Sequence, residues 1–239
     1  MKRTAAVVVM LAMPLANFCL RAQESEPKHL TVARHLVERL DLNNTNYEHG
    51  QGTVVWTGTP ESHTDCSGLI DHLLMHCYGY NREAFERWFG SHRPTAARYH
   101  DNIIAEKGFV QIQRVQDLRP GDLIAIKYST RTDNTGHIML VAEAPQSMPA
   151  KKPIVANTDQ WAITVIDSSE SGHGPTDTRH KNGPGGKDHD GLGQGVFRLY
   201  ATRTGKVAGF AWSTLNQSEF KGPDEEHLVL GRLLIDYRP

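Results

Sequence analysis

The chain has 239 residues, with 26 Lys and Arg against 27 Asp and Glu and a formal net charge of −1. That balance argues against the basic footprint of a nucleic-acid binder and against a polybasic membrane patch. The length is enough for one sizeable hydrophobic core, and the 3 Cys and 13 His are the residue types whose placement has to be explained.

In chain order, Lys2 and Arg3 precede an apolar run over residues 5–16, and Leu20-Arg21-Ala22 precedes the polar Gln23-Glu24-Ser25-Glu26. This pattern reads as a secretory signal over residues 1–22 with cleavage near Ala22, leaving residues 23–239 as a single secreted or periplasmic domain. The run is too short for a bilayer-spanning helix, which needs about 20 apolar residues, so no integral membrane span is expected. Phe18 stands before Cys19 where a lipoprotein site needs a small residue, so lipid anchoring is not expected. The mature chain then keeps Cys66 and Cys77. On one continuous helix they lie about 16 Å apart, beyond disulfide reach.

Residues 30–40 have helical spacing and residues 54–57 read as a short strand. Asp65-Cys66-Ser67-Gly68 follows, and Leu69, Ile70, Leu73, Leu74 and Cys77 then recur at three- and four-residue intervals. Cys66 is thereby set at the N-terminal edge of an amphipathic helix, where unpaired N–H groups and the helix dipole favour a thiolate. A small apolar Cys on such a face is equally a core residue, and Cys77 is read that way. What makes Cys66 a candidate nucleophile lies downstream.

Helical spacing covers residues 82–89 and 95–107, and residues 110–114 lead into the turn Arg119-Pro120-Gly121-Asp122. The turn launches an apolar strand over residues 123–128. After a polar loop, Gly136-His137 opens a second strand over residues 138–142, which sets His137 at the start of a core strand as a base. A third strand, residues 161–166, ends in Asp167-Ser168-Ser169 and can pair with the strand carrying His137. The order Cys66, His137, Asp167 supplies nucleophile, base and orienting group in a papain-like arrangement. Residues 196–202 and 207–212 form a hairpin, and residues 227–235 a last strand. Helices first and strands later imply an α+β fold, a Cys-bearing helix packed on a twisted antiparallel sheet.

With these elements in place the chain resembles the NlpC-type papain-like cysteine peptidases, which cut bacterial cell-wall peptides. The matching residues are Val54-Val55-Trp56-Thr57-Gly58, Asp65-Cys66-Ser67-Gly68-Leu69-Ile70, Leu118-Arg119-Pro120-Gly121-Asp122-Leu123, Gly136-His137-Ile138 and the strand ending at Asp167. The resemblance implies a cysteine hydrolase of amide bonds in peptidoglycan peptides, a γ-D-glutamyl endopeptidase or related amidase; no cofactor is expected, and the chain is expected to be a monomer. It implies Cys66 as nucleophile, His137 as base and Asp167 as third residue. Asp65 and Ser67, beside the nucleophile, would hold the substrate's free amine, and Trp56 would also contact substrate. The alternative is a non-catalytic peptidoglycan- or peptide-binding module that keeps the fold.

The chain departs from the family pattern in three places. Val54 stands where an aromatic hydroxyl is usual two residues before the Trp, so one polar contact at the site is expected to be missing. Met139, Leu140 and Val141 replace the usual small residue and Tyr, and Asp167 replaces the usual His, with its carboxylate expected to accept from the Nδ1–H of His137. His173 is the alternative third residue. His72 and His76 form an i, i+4 pair with no evident third ligand, so no metal is expected there. Residues 168–194 are rich in Gly, Asp and His without periodicity and are expected to form a long mobile lid over the cleft, with His173, His180 and His189 as solvated residues.

Overall fold

The computed structural model describes residues 26–50, 52–129, 131, 134–180 and 189–239. The expected signal segment, with Cys19, lies outside the described residues. Helix α1, Lys28–Arg39, turns Leu30, Ala33 and Leu36 inward at helical spacing. Three short strands follow: β1 (Thr45–Asn46), β2 (Thr53–Val55) and β3 (Glu61–His63). They pair in the order β1-β3-β2. This small sheet delivers the chain to α2, Cys66–Tyr78, whose buried face includes Leu69, Ile70, Leu73 and Leu74.

Both ends of α2 are capped as its sequence asks. The Asp65 carboxylate accepts from the Gly68 N–H at 2.8 Å, and Gly79 turns left-handed at φ +71° with its N–H on the Met75 carbonyl. Helices α3 (Arg82–Phe89) and α4 (Ala96–Ile104) complete the helical layer. The expected helix over residues 95–107 stops at Ile104. The chain then turns through Gly108 at φ +79°, where a Cβ would stand 2.4 Å from the Trp88 ring.

The large sheet is built from β4 (Phe109–Ile112), β5 (Leu123–Tyr128), β6 (Gly136–Val141), β7 (Gln146–Met148), β8 (Thr158–Ser169), β9 (Gly191–Thr202), β10 (Val207–Ala211), β11 (Phe220–Lys221) and β12 (Glu226–Leu233). Its order is β11-β10-β9-β8-β6-β5-β12-β4, with β7 paired to β8. Among the described residues its strand pairings are antiparallel. Alternation along β5 sends Leu123 and Ala125 to the core under the helices and Ile124 and Ile126 to a second core on the other face. That second core forms because the sheet curls until β10 approaches β12, and within it Phe197 of β9 stacks on Phe210 of the neighbouring β10 at 5.2 Å. Both faces of the central strands are therefore buried, and the fold is α+β.

One expectation changes here. The loop over residues 168–194 is shorter than its composition suggests, because β8 runs through Ser169 and β9 begins at Gly191. His173, Asp177 and Arg179 are buried at 1, 3 and 0% exposure, so residues 170–180 are packed structure. Residues 181–188 lie outside the described residues. Among the described residues no helix is long and apolar enough to cross a membrane.

Candidate active site

Cys66 is the first residue of α2, held there by the Asp65 cap, and is 4% exposed. Facing it is His137, second in β6. The residue before it, Gly136, sits at φ +153°, and a Cβ there would lie 1.9 Å from the Ile126 carbonyl oxygen. Only glycine lets the strand enter the sheet so close to its neighbour. His137 hydrogen-bonds Cys66 and, through Nε2, Asp167 Oδ2 at 2.7 Å. The carboxylate thus takes Nε2 rather than the expected Nδ1, which leaves Nδ1 for the sulfur.

The electrostatics follow from this line of groups. Burial disfavours a charged His137, yet the Cys66 charge and the Asp167 hydrogen bond outweigh it and push the imidazole up to about 10. Burial also opposes ionisation of Asp167. The Arg179 guanidinium, His173 and the hydrogen bond from His137 overcome it and hold that carboxyl well below the usual range. The buried Cys66 sulfur thus meets an imidazole that favours its protonated form, backed by the Asp167 anion. Such a set can attack a carbonyl carbon and return a proton to the leaving group.

Of the expected substrate residues, Asp65 and Ser67 flank Cys66 and are themselves buried. Asp65 is already engaged. Its Oδ1 caps α2 and accepts from Ser67 Oγ at 3.3 Å, while its Oδ2 accepts from Arg93 Nη2 at 2.5 Å. Trp56 is elsewhere, stacked on His76 at 4.5 Å. His76 lies ten residues beyond Cys66 on α2, about 15 Å along the axis.

Several residues at the site carry no motif. Tyr47, just after β1, bonds the Cys66 sulfur through its hydroxyl, and burial together with the Cys66 and Asp65 charges keeps its phenol protonated. An aromatic hydroxyl is thus present although Val54 cannot supply it; Val54 packs against the helical core instead. Tyr47 is nine positions before Trp56, so motif spacing gave no signal for it. Arg93 and Trp212 were equally invisible. The Trp212 ring lies edge-on to His137 at 4.9 Å and 4.4 Å from His173, and its carbonyl accepts from His173 Nδ1 at 2.7 Å.

Residues 52–160 match the NlpC/P60 family, a span that holds Cys66 and His137 and stops before Asp167. The chain is also similar to Uncharacterized protein R653 of Acanthamoeba polyphaga mimivirus. The two are 33% identical over 225 residues, which is 88% of this chain and 98% of that protein. No solved structure matches the chain.

Proposed function

Because this chain belongs to the NlpC/P60 family, a cysteine-peptidase and amidase family of cell-wall peptides, we propose that it is a secreted hydrolase that cuts amide bonds in peptidoglycan peptides, using Cys66, His137 and Asp167. A γ-D-glutamyl endopeptidase or a related amidase is the class that fits best. The observation that carries the reading is the hydrogen-bonded line from Cys66 through His137 to Asp167 Oδ2.

In the proposed reaction the Cys66 thiolate attacks the scissile carbonyl and forms a tetrahedral oxyanion. The Cys66 backbone N–H, at the first turn of α2, and the Tyr47 hydroxyl are the donors assigned to it. Collapse breaks the C–N bond, the imidazolium of His137 protonates the departing amine, and a thioester remains on Cys66. Water, deprotonated by His137, then attacks the thioester, releasing the carboxylate product and regenerating the thiol and imidazole pair. Asp167 keeps the ring oriented and stabilises its charged form throughout.

Digestion of purified peptidoglycan by the protein, with fragments identified by mass, tests this. The expected result is a new amine and a new carboxylate at one stem-peptide amide, absent with Cys66→Ala. Binding to the wall without any cleavage, identical for both proteins, would instead make the chain a recognition module.

A further inference from the structure

Asp167 meets more than His137. Its Oδ2 faces Nε2 of both His137, at 2.7 Å, and His173, at 3.1 Å, while its Oδ1 accepts from Arg179 Nη2 at 2.9 Å. Arg179 is itself gripped: Nε and Nη2 donate to Asp177 at 2.8 Å each, and Nη1 donates to the Gly191 carbonyl at 3.0 Å. Asp177 also accepts the backbone N–H groups of His173, at 2.8 Å, and of Arg179, at 2.9 Å. His173 bonds the Trp212 carbonyl through its other nitrogen. Both of its ring nitrogens therefore face acceptors.

Buried ions are costly unless each is paired and hydrogen-bonded, and this group meets that condition throughout. Strand β9 is shaped to admit it. A Cβ on Gly193 would lie 2.4 Å from Arg179 Nε, and one on Gly195 would lie 2.1 Å from Asp177 Oδ2. Any side chain at either position would displace the assembly.

We propose that His173, Asp177 and Arg179 form a clamp that fixes Asp167 as an oriented anion behind His137, so that these three are positioning residues for the nucleophile pair. The inference rests on the proposed triad. The charged and titratable groups facing Asp167 are His137 from β6, with Cys66 of α2 beyond it, and His173, Arg179 and Asp177 from the segment after β8; across β9 it faces Gly193. The Arg179 charge favours the ionised form of Asp167, and that anion in turn favours a proton on the His137 ring beside Cys66. Removing that charge moves the Asp167 ionisation upward and loosens the hold of the carboxylate on the His137 ring that faces Cys66.

The test uses the alkylation rate of Cys66 by iodoacetamide across pH, located by peptide mass, which needs no substrate. Cys77 is an internal reference, since burial pushes its thiol up to about 11. Arg179→Met should raise the acid inflection of Cys66 alkylation by about one pH unit, whereas Arg179→Lys, which keeps the charge, should leave it near the wild-type position. If Arg179→Met does not fold, the charge-balanced pair Arg179→Met with Asp177→Asn should shift it in the same direction. An unchanged inflection in a folded charge-removed variant would make the clamp merely structural and overturn the inference. A wild-type Cys66 that reacts like a free thiol would instead overturn the triad reading itself, so the two failures are separable.

Discussion

His137 commits one nitrogen to Asp167 and offers the other to Cys66, so its protonation sets the working pH range of the proposed pair. Its imidazole is raised from 6.5 to about 10. The sign follows from linkage: the stabilisation gained by the charged ring is fully present below pH 6.5 and is lost as pH rises through about 10. Asp167 moves the other way and stays ionised to well below its ordinary value of 3.8. Turnover should therefore hold through neutral pH and fall on an alkaline limb near pH 10, where the ring can no longer protonate the leaving amine. A pH profile of kcat that falls with an inflection near 7 would show that His137 is not the acid.

At the scale of elements, α2 couples the site to the rest of the fold through a second carboxyl. Asp71, one turn beyond Cys66, is buried, accepts from the Tyr99 hydroxyl of α4 at 2.7 Å, and has one oxygen without a partner among the described residues. Burial raises its proton affinity well above the usual range, against the Tyr99 bond and the nearby Arg93. A carboxyl that binds its proton more tightly when folded loses stability as pH climbs above 3.8, because the unfolded chain ionises first. Asp71→Asn should accordingly raise stability at pH 7 by about 1 kcal/mol and flatten its pH dependence between 4 and 7, read by thermal unfolding. Equal loss of stability at every pH would mean the carboxylate is ionised in place.

The same scale separates what the sequence made legible from what it hid. Helix α3 and strand β5 match the expected bounds, because Asn81 and Gly90 cap the one and the Pro-Gly turn launches the other. The cysteine helix and the strand opened by Gly136 were equally readable, since their signals are local. Strand β9 was hidden at its start: Gly191, Gly193 and Gly195 look like loop, yet Arg179 and Asp177 fill the space above Gly193 and Gly195, and Gly191, at φ +86°, abuts Thr45 and Asn46. Tyr47, Arg93 and Trp212 were missed for a related reason. Each reaches the site through the tertiary fold, across 18 or more positions of chain from the residue it touches, and no periodicity encodes such an approach.

In the whole molecule the three groups come from separate parts of one rigid frame: the first turn of α2, the start of β6 and the end of β8. Strands β6 and β8 are neighbours near the middle of the sheet, with cores on both faces, so His137 and Asp167 are held by elements that cannot shift independently. The helical layer brings the thiol to them, and the curled far half of the sheet brings Trp212 and the clamp. The central claim is that Cys66 becomes acylated during turnover. Acid quenching of the protein during turnover of peptidoglycan fragments, followed by peptide mass mapping, tests it directly. The expected result is a thioester adduct of the acyl fragment on Cys66, present also in Cys77→Ala and absent in Cys66→Ala. Turnover that persists in Cys66→Ala, or an adduct on any other residue, would contradict it.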